Sequence, residues 1–144
     1  MSIQSALYEH LKDDSAISTI VGNKVYPLVA AFDDSTPYIT FQLITRGHEH
    51  DLGAASGLAR TRMQVNCWQS TPALAETLAD TVRDALDGFS GTMGTTNTAA
   101  VKSCRLDGDF EDYDPPPDPD RAEAGVFSVK MDFLIWYTET IPTF

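Results

Sequence analysis

With 144 residues, 42% of them apolar, the chain can bury one core without disulfide or metal and has little material for a second domain. A formal net charge of −11 is opposite in sign to the footprint of a protein that grips nucleic acid, and no apolar run approaches the roughly 18 to 20 residues of a membrane helix. The start, Met1-Ser2-Ile3-Gln4, has no basic n-region, so the expectation is a single soluble domain over residues 1–144, made in the cytosol.

Ser2 is placed to cap a first helix in which Ile3, Ala6, Leu7 and Leu11 share a face, with His10 on its polar border as a surface histidine. Asp14 or Ser15 can start a short second helix through Ile17 and Ile20, which Gly22 ends. Lys24 to Val29 reads as a short extended segment, and Asp33 to Thr36 as a polar turn. Pro37 then introduces a strand from Tyr38 to Arg46, where Ile39, Phe41 and Leu43 alternate with Thr40, Gln42 and Thr45. The segment after it, Gly47 to Ser56, is too long and too rich in small residues for a tight turn, and predicts a flexible hairpin tip that touches something.

The clearest signal follows. Ala59, Thr61, Met63, Val65 and Cys67 point one way and Arg60, Arg62, Gln64, Asn66 and Trp68 the other, the period of a strand buried on one face. Thr71 stands at an N-cap, Pro72 at the first helical position, and Leu74, Leu78, Val82, Ala85 and Leu86 recur at helical spacing until Gly88. Ser90 to Asn97 reads as a mobile link and Ala100 to Leu106 as a strand of weak alternation. In the last strand Phe127, Val129, Met131, Phe133, Ile135 and Tyr137 form one face, which places it inside the sheet. The order of elements predicts an α+β fold, a single antiparallel β-sheet with helices packed on one face.

Asp107 to Glu123 carries eight carboxylates against one base, Arg121. Its Asp-x-Asp-x-Glu opening is like a calcium loop, but Asp112 stands where the sharp turn needs glycine and Pro115 to Pro117 prevent the wrap, so the expectation is a solvated, proline-stiffened acidic loop over 107–125. His48 and His50 could offer two metal ligands, yet no second pair follows at zinc spacing. A small-molecule or metal-binding domain using these histidines is the alternative reading of function. No phosphate loop, serine elbow or Cys-His arrangement is present, so no catalytic residue is assigned. Cys67 and Cys104 lack any paired spacing and are expected as buried thiols. Trp68 and Trp136 fall on the polar sides of their strands, where they either mark a partner surface or lie under neighbouring elements.

The segments ALYEHLKDDSAISTIVGNKVYP at 6–27, PYITFQLI at 37–44, SGLARTRMQVNCW at 56–68 and the helix end ALADTVRDALDGFSG, in this order and spacing, resemble the tail completion proteins of long-tailed bacteriophages. These are also called tail terminators or tail-to-head joining proteins, and gene transfer agents use similar ones. The long acidic insert departs from the usual pattern. The resemblance implies a non-enzymatic virion protein without cofactor or metal, a ring of usually six copies at the neck end of the tail. It would cap the tail tube, end its polymerisation and meet a head-closure or neck protein, with DNA passing through unbound and no membrane contact. Assembly would take place in the bacterial host cytoplasm. On this reading Arg46, His48, Glu49, His50, Asp51, Leu52, Trp68 and Trp136 are the candidate subunit or partner contacts.

Overall fold

The computed structural model describes residues 3–28, 35–52, 54–115 and 125–141, so the expected Ser2 cap, Val29, Asp33 and the acidic run from Pro116 to Ala124 lie outside the described residues. The elements run α1 (Ile3–Asp13), α2 (Ser15–Val21), β1 (Val25–Pro27), β2 (Tyr38–Asp51), β3 (Ala54–Gln69), α3 (Pro72–Leu86), β4 (Gly91–Met93), β5 (Ala99–Asp114) and β6 (Val126–Thr138). They form one six-stranded sheet in the order β1-β2-β3-β6-β5-β4.

The sheet is mixed, which corrects the expectation of a purely antiparallel one: β1 pairs parallel to β2, Val25 opposite Ile39. Parallel pairing requires the connection to travel back along the strand. That is easily spanned here because β1 is only three residues long.

β3 and β6 lie at the centre, antiparallel, with Met63 opposite Phe133, Val65 opposite Met131 and Cys67 opposite Val129, all buried. The alternation read in each strand therefore becomes one continuous apolar surface. α3 covers it, capped by the Thr71 hydroxyl, which accepts from the Leu74 N–H at 3.2 Å. Its buried stripe is Ala75, Leu78, Ala79, Val82 and Leu86. Leu74, expected on that stripe, is 47% exposed, and the small side chains of Ala75 and Ala79 face the sheet instead. Asp14, not Ser15, caps α2, accepting from the Ile17 N–H at 3.0 Å. His10 is tied into the fold: its Nε2 lies 2.9 Å from the Ala85 carbonyl oxygen and its ring 4.6 Å from that of Phe89.

Three expected loops are ordered backbone. The Tyr38–Arg46 strand continues to Asp51 and pairs with β3 as far as Asp51 opposite Ala54, so the expected ten-residue tip shrinks to a tight turn around Leu52. The first half of the expected acidic loop, Asp107 to Asp114, is strand, paired with β6 down to Asp114 opposite Val126. Backbone hydrogen bonding to a neighbouring strand does not require apolar side chains, so pairing continues past the point where hydrophobic alternation stops.

The third is the expected mobile link. It contains β4, whose Met93 is fully buried, and a turn held by Glu9 of α1. The N–H groups of Thr95, Thr96 and Asn97 donate to the Glu9 carboxylate at 3.3, 3.1 and 2.6 Å. Gly94 enters this turn at φ 88°, where a Cβ would sit 2.1 Å from the Asn97 carbonyl oxygen. These donors, led by Asn97, hold the Glu9 carboxyl below its ordinary pKa of 4.5. A depressed carboxylate contributes stability above the unfolded pKa and loses it as pH falls through the folded one. We predict that Glu9→Gln is less stable than wild type at pH 7, and that the two converge as pH drops below about 4. Urea midpoints measured from pH 7 to pH 3 check this; parallel curves would remove Glu9 from the acid transition.

Candidate interaction surface

The sheet face turned away from α3 is polar. Thr40, Asn66 and Ser128 are buried there, and Trp68 and Trp136 are half-buried. The Trp68 indole N–H donates to the Thr40 hydroxyl at 2.9 Å, its ring stacks on Tyr38 at 5.8 Å, and the Lys130 ammonium sits 5.4 Å over it. The Arg60 guanidinium lies 5.7 Å over Trp136 in the same way. Both tryptophans are thus partly covered by their own subunit's side chains. They are not one patch: Arg60 opposes Trp136 and Trp68 opposes Ser128, which puts the indoles near opposite ends of β3, roughly 25 Å apart at strand rise.

Arg62 ties this face together, reaching Asp107 at 2.9 Å and Asp132 at 3.5 Å. Lys130 binds Asp112 at 3.0 Å and, with the Tyr113 N–H, holds that carboxyl below the usual range. Beside Trp136 a groove of about 320 Å³ is lined by Thr45, Gly47, Arg60, Arg62, Arg105 and Leu134. Arg105 is exposed and makes no hydrogen bond or ion pair among the described residues. Its part in this cluster has no signal in the weak alternation of its strand.

The remaining candidate residues lie along the β2–β3 hairpin. A bulge at Ile44 shifts the register, so Arg46 opposes Thr61 and His48 opposes Ala59 on the helix side of the sheet. Arg46 donates to the Gln4 side-chain oxygen at 3.1 Å, and His48 Nδ1 meets the Glu139 carboxylate at 2.5 Å. Glu49 reaches Arg60 at 3.9 Å while its backbone carbonyl accepts from the Ser56 hydroxyl at 3.0 Å. His50 is exposed, Asp51 pairs with Ala54, and Leu52 at the turn is fully exposed. The Gly57 carbonyl still accepts from the Glu139 N–H at 2.7 Å, and β3 pairs with β6 from Leu58 onward, so Glu49–Asp51 and Ala54–Ser56 form a two-stranded ribbon beyond the sheet.

Among the described residues no three His, Cys, Asp or Glu side chains are grouped to hold a metal ion, and no helix is long and apolar enough to cross a membrane. Cys67 and Cys104 are free and buried; burial pushes the Cys67 thiol far up, and burial with nearby Asp87 pushes Cys104 up to about 12. Neither supplies a thiolate nucleophile at neutral pH.

Residues 5–138 match the family model of the tail completion protein gp17. The chain belongs to that family. As a tail completion protein it acts in finishing phage tails. No curated protein sequence matches the chain. A solved structure described as the virion of a native gene transfer agent (GTA) particle contains a chain similar at TM-score 0.69 and 18% identity, with 95% of each chain covered. At that identity the likeness is one of fold, extending to nearly every element described above.

Proposed function

We propose that this tail completion protein is a non-enzymatic virion component of a phage or gene transfer agent, one domain over residues 1–144. Six copies close into a ring at the neck end of the tail, assembled in the host cytoplasm. The ring caps the last ring of tail tube protein, stops its polymerisation and offers a docking surface to a head-closure or neck protein. The observation that carries this reading is that one subunit presents two long, unlike strand ends: the hairpin ribbon of β2 and β3, and the acidic end of β5. A ring built from heterologous contacts needs two such different surfaces on every copy.

The experiment is removal of the chain from producing cells, followed by electron microscopy of the lysate. Tubes of uncontrolled length beside tailless heads are expected, and wild-type chain added back restores joined particles; normal tails without it would reject the reading.

DNA passes through such a ring without being held. With a net charge of −11, the chain releases few counterions from a duplex, and repulsion favours sliding. We predict no measurable affinity for duplex DNA at physiological salt in fluorescence anisotropy. Binding tighter than about 1 μM, stronger than ordinary non-specific contact, would overturn the sliding bore.

A further inference from the structure

Both outermost strands are short. β1 covers only Ile39 to Phe41 of β2, and β4 covers only Ala99 to Val101 of β5. Beyond them β2 runs on to Asp51 and β5 to Asp114 with no strand on their outer sides among the described residues. The turn after α3 occupies part of the β5 edge: the Gly88 N–H donates to the Cys104 carbonyl at 2.7 Å and the Leu106 N–H to the Asp87 carboxylate at 3.0 Å. From Gly108 to Asp114 the outer edge has no backbone–backbone partner among the described residues; the Tyr113 N–H donates only to the carboxylate of its neighbour Asp112, at 2.9 Å, and every side chain there is exposed. Unpaired N–H and C=O groups in a row are a template for another strand.

The two free edges differ in charge. The β5 edge carries Asp107, Asp109, Glu111, Asp112 and Asp114 with no base among them. The β2 edge carries Arg46, His48 and His50 against Glu49 and Asp51. Arg60 of β3 adds to it, because Gly47 has no side chain to stop it: the Arg60 Nε lies 3.1 Å from where a Gly47 Cβ would be. Its side chain thereby lies over Gly47 of β2. Two β5 edges would repel one another, whereas the β2 edge, where Arg46 and Arg60 offset Glu49 and Asp51 with the histidines neutral, lacks that repulsion and offers two cations to the acidic strand. Exposed apolar groups accompany both, Phe110 at 53% on β5 and Ile44 at 43% on β2.

We propose that the free edge of β5, Gly108 to Asp114, adds to the free edge of β2, Thr45 to Asp51, in a second copy of this chain. The proposal rests on the ring reading and supplies its subunit contact. Because the two edges lie toward opposite sides of one sheet, each added copy presents the same pair again, and addition stops only on closure.

Charge reversal with mixing tests it. One variant carries Arg46→Glu and Arg60→Glu, the other Asp109→Lys and Glu111→Lys; neither pair of positions contributes to the buried core. Native mass spectrometry is run on each chain free and with purified tail tubes, and melting temperatures verify folding. Each variant alone should need at least about 100-fold higher concentration to assemble than wild type, since like charges then face each other. An equimolar mixture should restore rings of alternating copies, because each reversed edge meets its complement. Variants that assemble alone as wild type does, or a mixture that stays unassembled, would overturn edge pairing while leaving the ring intact. Wild-type chain that remains monomeric both free and on tubes would instead overturn the ring itself.

Discussion

Replacing Leu78 by alanine should lower the free energy of unfolding by about 2–5 kcal/mol, the range for truncating a buried leucine. Leu78 is fully buried in the middle of α3, in the same apolar cluster as Val65 of β3 and Phe133 of β6. The helix is held at both ends, by the Thr71 cap and by the Asp87 and Gly88 bonds to β5, so it cannot settle into the space left behind. The cost is then the lost transfer energy plus most of the cavity energy. Leu74→Ala on the same helix is the control: that side chain is half exposed, and its loss should cost less than about 1 kcal/mol. Urea titrations at constant slope read both. Equal midpoints for wild type and Leu78→Ala would mean that α3 does not rest on the sheet as described.

Deleting Asp51 to Ala55 should leave a folded chain that fails to complete tails. The excised residues form the turn end of the two-stranded ribbon, beyond the first β3–β6 pair at Leu58 and Thr138. Their removal leaves every β3–β6 pair in place, so the melting temperature should change little. A two-stranded ribbon is marginally stable in water by itself, and a partner that packs against it supplies the missing energy only where it is present. Such a contact would confine capping to the finished end of a tube. Electron micrographs of particles made with the deleted chain should show tubes of uncontrolled length and heads without tails. Joined particles of normal length would show instead that the ribbon is a solvated connection.

Elements with a strong side-chain period were legible from residues alone. β3, β6 and α3 stand where alternation, the Thr71 cap and Pro72 put them, with boundaries shifted by one or two residues at most in β6 and α3. The Asp14 cap and the Gly22 stop of α2 are equally local. The partner surface was less legible. The sequence placed Trp68 and Trp136 on the polar face, but not their separation, nor the cations that cover them, Lys130 and Arg60, which come from neighbouring strands.

Side-chain periodicity carries the apolar pattern: which faces are buried and where α2 and α3 begin and end. The strand order, the parallel β1, the length of β2 and β5, and the capture of the Thr95–Asn97 turn by Glu9 arise only where distant segments meet. Burial leaves its period in the side chains of a single segment, whereas backbone pairing and a carboxylate's choice of donors depend on what the rest of the chain brings alongside. Asp107 to Asp114 reads as an acidic loop because its side chains are solvated, and it is a strand because β6 lies beside it.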